Sequence, residues 1–85
     1  MKISWTKTFY REYHSLPQYI RDRFDEKIQL FVNNTRHPSL RVKKMSGTES
    51  VWETSITINY RWTFEWVNDL IKLRHIGTHS ILNKE

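Results

Sequence analysis

Residues able to bind an anion or to transfer a proton are concentrated in three short segments of the second half of the chain. Glu53 lies in VWETSITI, Arg61 in YRWTFEWV and His79 in RHIGTHSIL. A guanidinium binds oxyanions through paired donors, and histidine ordinarily titrates near pH ~6.5, where it can accept or donate a proton. The carboxylate of Glu53 is a second possible base, or a charge partner for Arg61. Whether these groups can act together depends on the elements that carry them.

Apolar periodicity predicts those elements. KISWT alternates like a first strand, TFYREYHSL has the apolar spacing of a helix, and PQYIRDRFDEKIQLFVNN continues as a second, amphipathic helix. The pattern then changes to period two in LRVKKM, VWETSITI, YRWTFEWV and LIKLRHI, with a turn at Ser46–Gly47–Thr48. Residues 1–85 are therefore predicted to form one α+β domain. An N-terminal strand and a two-helix hairpin would pack on a small, mainly antiparallel four-stranded sheet.

Alternation also assigns side chains to the two faces of this sheet. The aromatic face is predicted to carry Tyr60, Trp62, Phe64 and Trp66, together with Trp52, Ile56 and Ile58. An odd-length loop with Ile56 opposite Tyr60 places Ser55 across from Arg61 and Glu53 diagonal to it. The helices are expected to cover the aromatic face, because it is too apolar to remain in water.

A two-residue turn at Asn68–Asp69 pairs Glu65 with Lys72 and Thr63 with Arg74. The same pairing assigns three residues of the last strand, Ile71, Leu73 and His75, to the aromatic face. Arg61 and Arg74 would then lie close together on the polar face, where Glu53 is the nearest acid. Two neighbouring cations repel each other unless an anion joins them, and phosphate is the natural candidate. The alternative is that these polar residues have no ligand and only face solvent, as on one side of many antiparallel sheets. We interpret the Glu65–Lys72 pair in this way.

Composition narrows the class of protein. The chain has 14 Lys and Arg against 9 Asp and Glu, a net charge of +5, which favours an acidic or polyanionic partner. It has no Cys, so disulfides and thiolate metal sites are excluded. No apolar stretch approaches the ~20 residues that span a bilayer, and MKISWTKTF lacks the apolar run of a signal peptide, so we expect a cytoplasmic protein with no membrane contact. His75 and His79 are spaced i, i+4, which aligns metal ligands only on a helix, so no metal is expected.

The order of these segments resembles a known family. HPSLRVKKMSG, then VWETSITINYRWTF, then IKLRHIGTHSIL are similar to toxins of the RelE/ParE superfamily, the toxin half of type II toxin–antitoxin pairs, and the similarity runs through the whole chain. The resemblance implies a compact domain held inactive by a cognate antitoxin. On the RelE-like branch such toxins cut mRNA in the ribosomal decoding site, whereas the ParE-like branch poisons DNA gyrase.

The resemblance also implies roles for particular residues. The Arg of the family's Tyr-Arg motif corresponds to Arg61, and the His of its Gly-Thr-His ending corresponds to His79. The family's basic strand corresponds to Arg41, Lys43 and Lys44, which would bind RNA, and Arg74 is added to them because of its predicted place on the polar face. Many relatives follow the His with Asp or have a Tyr nearby, whereas this chain has Ser80, which removes one possible acid, base or orienting partner.

The predicted function is a ribosome-dependent, metal-independent endoribonuclease without a cofactor, whose partners are ribosome-bound mRNA and an antitoxin. Arg61 would hold the scissile phosphate, with Lys43 or Lys44 in support. His79 would be the acid or base, with Glu53 as the competing base. The alternatives are a non-catalytic inhibitor of gyrase and an inactive toxin that only binds its antitoxin.

Overall fold

The computed structural model describes residues 1–47 and 50–84, in which one strand, two helices and four further strands follow one another in the predicted order. Thr48, the third residue of the predicted turn, lies outside the described residues. In chain order the elements are β1 (Lys2–Trp5), α1 (Lys7–His14), α2 (Gln18–Asn33), a 3₁₀ helix (Pro38–Leu40), β2 (Lys43–Lys44), β3 (Val51–Ser55), β4 (Tyr60–Val67), β5 (Leu70–Thr78) and a C-terminal 3₁₀ helix (His79–Lys84).

The sheet has the order β1-β5-β4-β3-β2, so it has five strands rather than the predicted four. The four predicted strands pair antiparallel, and β1 adds to them as a parallel strand beside the first half of β5. The last pair of that ladder joins Trp5 to Leu73. Thr6 then ends β1 and caps α1, because its hydroxyl donates to the Leu73 carbonyl and accepts from the Phe9 amide.

Both helices cover the aromatic face, as expected. Phe9 from α1 and Phe24 and Phe31 from α2 are fully buried with Trp62 and Phe64 of β4. Their rings meet mainly edge to face: the centroids of Phe24 and Trp62 are 5.0 Å apart at 89°. Such pairs contribute about 0.5–1.5 kcal/mol beyond the area they bury. The core therefore lies on one side of the sheet, and the other side remains available for polar groups.

Two predicted strands are shorter in the structure. LRVKKM forms a strand only at Lys43–Lys44, because the preceding residues make the 3₁₀ helix and Arg41 adopts a left-handed conformation with φ 49° and ψ 49°. β3 ends at Ser55, and the next residues turn toward β4. Ile58 consequently does not join the aromatic face: it is 80% exposed.

The predicted register is confirmed for β3–β4, and for β4–β5 only from the turn as far as the pair of Phe64 with Leu73. Ser55 pairs with Arg61 and Glu65 with Lys72, as predicted. Thr63, however, pairs with His75 instead of Arg74, because a β-bulge interrupts the β4–β5 ladder between Thr63 and Phe64. The extra residue reverses the alternation beyond it.

Among the described residues, no helix is both long enough and apolar enough to span a membrane.

Candidate functional site

Arg61 lies in the middle of β4, on the sheet face opposite the helices. Its partners in register are Ser55 on one side and Gly77 on the other. Its Nη1 donates to the Ser55 hydroxyl at 2.6 Å and lies 3.9 Å from Oε1 of Glu53. The side chains of Arg61 and Glu53 are each 14% exposed. Nε of Arg61 is buried and has no hydrogen-bond partner among the described residues, so the guanidinium is only partly compensated.

The C-terminal 3₁₀ helix, rather than α1 or α2, shelters this part of the face. It packs against β4 and β5. Ile81 is buried without belonging to the aromatic core, and a Cβ on Gly77 would lie 2.9 Å from its Cγ2. Because Gly77 is opposite Arg61 in register, Ile81 packs on the same face as the guanidinium. The missing side chain at position 77 is what lets the C-terminal segment fold back beside Arg61.

The two lysines of β2 point to opposite faces. Lys43 pairs with Glu53, so it shares the face of Arg61, whereas Lys44 pairs with Trp52 on the side of the helices. Both lysines are exposed. Of the two lysines, therefore, only Lys43 lies where it can contribute charge beside Arg61 and Glu53. The sequence alone did not distinguish Lys43 from Lys44.

The bulge changes the predicted neighbours of Arg61. Ile76, not His75, enters the core opposite Trp62, and it is 2% exposed. His75 therefore lies on the polar side, which corrects its predicted place among the aromatics. Arg74 lies three residues along β5 from Gly77, about 10 Å at the rise of a strand, so it is not adjacent to Arg61 as predicted.

Arg74 and His75 instead line a cavity of about 200 Å³ at the start of α1. Its other lining residues are Thr6, Thr8 and Lys72. The polar face thus holds two cationic regions, one centred on Arg61 and one containing Arg74.

Glu12 of α1 holds the bulge from the open edge of β5, and sequence reasoning missed it. Its Oε1 lies 3.1 Å from Nδ1 of His75 and accepts a hydrogen bond from the Ile76 amide at 3.2 Å. A signal for the bulge does exist in the sequence: Leu73 and Ile76 are three residues apart, which breaks the period-two pattern.

His79 is the first residue of the C-terminal 3₁₀ helix and is exposed. The preceding Thr78 pairs with Tyr60, the neighbour of Arg61 in β4. The hydroxyls of Thr78 and Ser80 lie 2.9 Å apart on either side of the histidine. His79 is thus exposed at the end of the sheet where β5 ends, one residue beyond the pair that joins Thr78 of β5 to Tyr60 of β4.

Arg41 lies at the same end of the sheet as the β3–β4 loop. With Ser39 and residues 55–58 it lines a cavity of about 210 Å³, and Ser55 is the residue that this cavity shares with Arg61. The face therefore combines a recessed guanidinium, an exposed lysine and a carboxylate, and an exposed imidazole follows the end of β5. Such a set can bind a phosphate, and it offers groups able to accept and return a proton.

The sequence matches no described protein family and no curated protein. The fold, in contrast, is shared with solved structures over nearly the whole chain. YafQ in the E. coli DinJ–YafQ toxin–antitoxin complex superposes with a TM-score of 0.79, at 13% identity over 95% of this chain and 94% of YafQ. The chain has the fold of the RelE/ParE toxins.

Two further solved structures share this fold. The RelB–RelE antitoxin–toxin complex from Methanococcus jannaschii matches at TM-score 0.74, with 23% identity and 94% of each chain covered. The YoeB/ParE toxin from Agrobacterium tumefaciens matches at 0.76, with 14% identity over 93% of this chain and 99% of that one. At these identities the RelE/ParE likeness describes the backbone, and the chemistry has to be argued from this chain's own side chains.

Proposed function

We propose that this protein is the toxin of a type II toxin–antitoxin pair and that it cleaves ribosome-bound mRNA in the cytoplasm. The observation that carries the proposal is the environment of Arg61. Its guanidinium faces away from the core, has a neutral hydroxyl at 2.6 Å and its carboxylate partner only at 3.9 Å, and keeps a buried Nε without a partner among the described residues. A phosphate would complete this pairing. The toxin–antitoxin complexes that share the fold support an antitoxin as the second partner.

The reaction needs no nucleophile from the protein, because RNA supplies its own 2′-hydroxyl. The 2′-oxygen bonds to the adjacent phosphorus while the bond to the 5′-oxygen breaks, which leaves a 2′,3′-cyclic phosphate and a 5′-hydroxyl. One proton leaves the 2′-oxygen and one is delivered to the 5′-oxygen. In our proposal Arg61 and Lys43 stabilise the negative charge that develops on the phosphate, and His79 transfers one of the protons. Positioned acids and bases contribute about 10²–10⁴-fold each.

The proposal is tested by inducing the protein and mapping the ends of cellular transcripts. We expect cuts within translated messages, and losses of about 10²–10³-fold in cleavage for Arg61→Ala and about 10²–10⁴-fold for His79→Ala. Lys44→Ala is a control of matched charge for Lys43→Ala, because only Lys43 shares the face of Arg61. Growth arrest with intact messages and DNA damage signalling would instead indicate a gyrase inhibitor, and no arrest at all would indicate an inactive toxin.

Glu53→Gln separates the two roles open to this carboxylate. If Glu53 is the base, its replacement lowers the cleavage rate and leaves RNA affinity unchanged. If it is only the charge partner of Arg61, its removal frees the guanidinium and strengthens RNA binding. We expect the second result, because Glu53 lies within ion-pair distance of Arg61 and is only 14% exposed.

A further inference from the structure

The cavity beside Arg61 has a chemistry of its own. It opens between the first 3₁₀ helix and the β3–β4 loop, and its wall consists of Ser39, Arg41, Ser55, Ile56, Thr57 and Ile58. Its volume of about 210 Å³ is below the ~300–1,000 Å³ typical of pockets for drug-sized ligands. A space of this size suits a single planar ring system.

Three polar side chains of the wall, Ser55, Thr57 and Arg41, can each donate a hydrogen bond, whereas the Ser39 hydroxyl is already bonded to Lys27 and His37. The Ser55 hydroxyl accepts from Arg61, and the Thr57 hydroxyl accepts from the Asn59 amide at 3.3 Å, so each retains its proton for donation. The guanidinium of Arg41 has donors only. A ligand with hydrogen-bond acceptors along its edge would therefore complement these three side chains.

The remaining wall suits a flat, weakly polar surface. Ile58 is 80% exposed, whereas Ile56, in the same wall, is only 3% exposed. Arginine planes stack on nucleobases, and single-stranded RNA is commonly recognised by splaying a base into such a site. Arg41 and Ile58 thus offer a guanidinium and an aliphatic surface between which a base can insert.

The backbone of Arg41 is held in an energetically unfavourable conformation. Its left-handed φ of 49° is uncommon for a residue other than Gly, Asn or Asp, and such conformations persist where the surroundings impose them. Here the Thr54 hydroxyl, fully buried, donates to the Leu40 carbonyl at 2.7 Å, and the Arg41 amide donates to the Pro38 carbonyl at 3.2 Å. These bonds fix the turn that presents Arg41 to the cavity.

We propose that this cavity binds one nucleobase of the RNA, next to the phosphate that Arg61 holds, and that it favours a base with acceptors on its free edge. The inference rests on the proposed function for the identity of its ligand. The link between the two sites is Ser55, which lines the cavity and bonds to Arg61. Guanine presents two adjacent acceptors, O6 and N7, whereas adenine replaces one of them with an amino donor.

Binding can be measured without any cleavage, by titrating the protein with mononucleotides and following its backbone amide NMR signals. We expect GMP to move the signals of Arg41 and residues 56–58, AMP to do so with several-fold weaker affinity, and ribose 5-phosphate to move only the signals of Arg61 and its neighbour Ser55. Equal shifts with ribose 5-phosphate would show an anion site only, and no shift with any of the probes at tens of millimolar would show no site. Either result overturns the proposal.

Matched variants locate the binding. Arg41→Ala and Ile58→Ala should each weaken GMP binding by about tenfold, a change of about 1.4 kcal/mol. Arg36→Ala and Val67→Ala remove the same kinds of exposed side chain from outside the cavity and should leave GMP affinity unchanged. All four positions are exposed, so thermal unfolding should be little affected.

The cleavage assay then separates this inference from the proposed function. A changed base preference in the cutting that Arg41→Ala retains supports the cavity assignment. GMP binding without any cutting by the native protein would leave the base site standing and refute the ribonuclease. Cutting with an unchanged base preference in Arg41→Ala and Ile58→Ala would refute the base site alone.

Discussion

Glu12 joins α1 to the bulge of β5, and replacing it tests whether this contact holds the register of the sheet. β1 pairs with β5 only as far as Leu73, so β5 continues beyond that point without β1 beside it. Glu12 accepts from the Ile76 amide at 3.2 Å and lies 3.1 Å from Nδ1 of His75. The side chains of Glu12 and His75 are 17% and 18% exposed, so water replaces these bonds poorly.

The expected loss follows from these contacts. A hydrogen bond to a charged group contributes about 1.5–3 kcal/mol, and a buried amide left without a partner costs about 1–3 kcal/mol. We therefore expect Glu12→Ala to lower the free energy of unfolding by about 2–4 kcal/mol, a large part of the ~5–15 kcal/mol of a typical domain. At roughly 4–8 °C per kcal/mol for a chain of this size, the Tm should fall by about 8–32 °C. Glu12→Gln, which can still accept from Ile76, should lose about half as much.

Urea denaturation measures the change, and amide hydrogen exchange at Ile76 reports the bulge directly. Glu26→Ala is the control, because it removes the same charge from an exposed position on α2, where changes usually stay within ~0.5 kcal/mol. If Glu12→Ala costs less than about 1 kcal/mol and exchange at Ile76 is unchanged, the bulge is held by the strands themselves. The role assigned to Glu12 would then be wrong.

Three further changes test neighbouring parts of the structure. Gly77→Ala should destabilise by about 1–3 kcal/mol, because its Cβ would lie 2.9 Å from Cγ2 of Ile81, and the double variant with Ile81→Ala should lose less than the sum of the two in urea melts. Burial, and then a hydrogen bond to a carboxylate of α2, raise the pKa of Tyr13. The contribution of the Tyr13 hydroxyl to the free energy of unfolding should therefore be complete below pH ~10 and be lost as the pH rises through the raised pKa of the folded protein. The Tm above pH ~10 should then depend less on pH in Tyr13→Phe. Thr54→Val leaves the Leu40 carbonyl without its 2.7 Å donor and should cost about 1–2 kcal/mol, measured by the same denaturation.

The hairpin that carries Arg61 could be predicted from the sequence because two independent constraints agreed. Strict alternation gives the two faces of β3 and β4 different chemistry, and a short loop leaves few registers that keep both apolar sets together. Placing Ile56 opposite Tyr60 fixed Ser55 opposite Arg61, and the structure confirms that pair. Local information was sufficient there, because both strands and their loop lie within 17 residues.

The second hairpin could not be predicted in the same way, because its register depends on a distant residue. Glu12 and Ile76 are separated by 64 positions in the sequence. The residues near β5 do not indicate that a carboxylate of α1 will accept a hydrogen bond from the Ile76 amide. The left-handed turn at Arg41 has a similar origin, since it depends on Thr54 bonding to the Leu40 carbonyl from β3. In both cases a tertiary hydrogen bond overrides the period-two pattern that local sequence favours.

The bulge also explains why the region around Arg61 can accept a ligand. Without the extra residue, Ile76 would stand opposite Arg61 and His75 would enter the core against Trp62. With it, the residue opposite Arg61 is Gly77, and the space on that face is shared between Ile81 and the guanidinium. A buried histidine would need a polar partner inside the aromatic core, and an isoleucine beside Arg61 would obstruct an incoming phosphate. The contact from Glu12 to β5 therefore links the stability of the sheet to the access of an anion to Arg61, although Glu12 itself takes no part in the proposed chemistry.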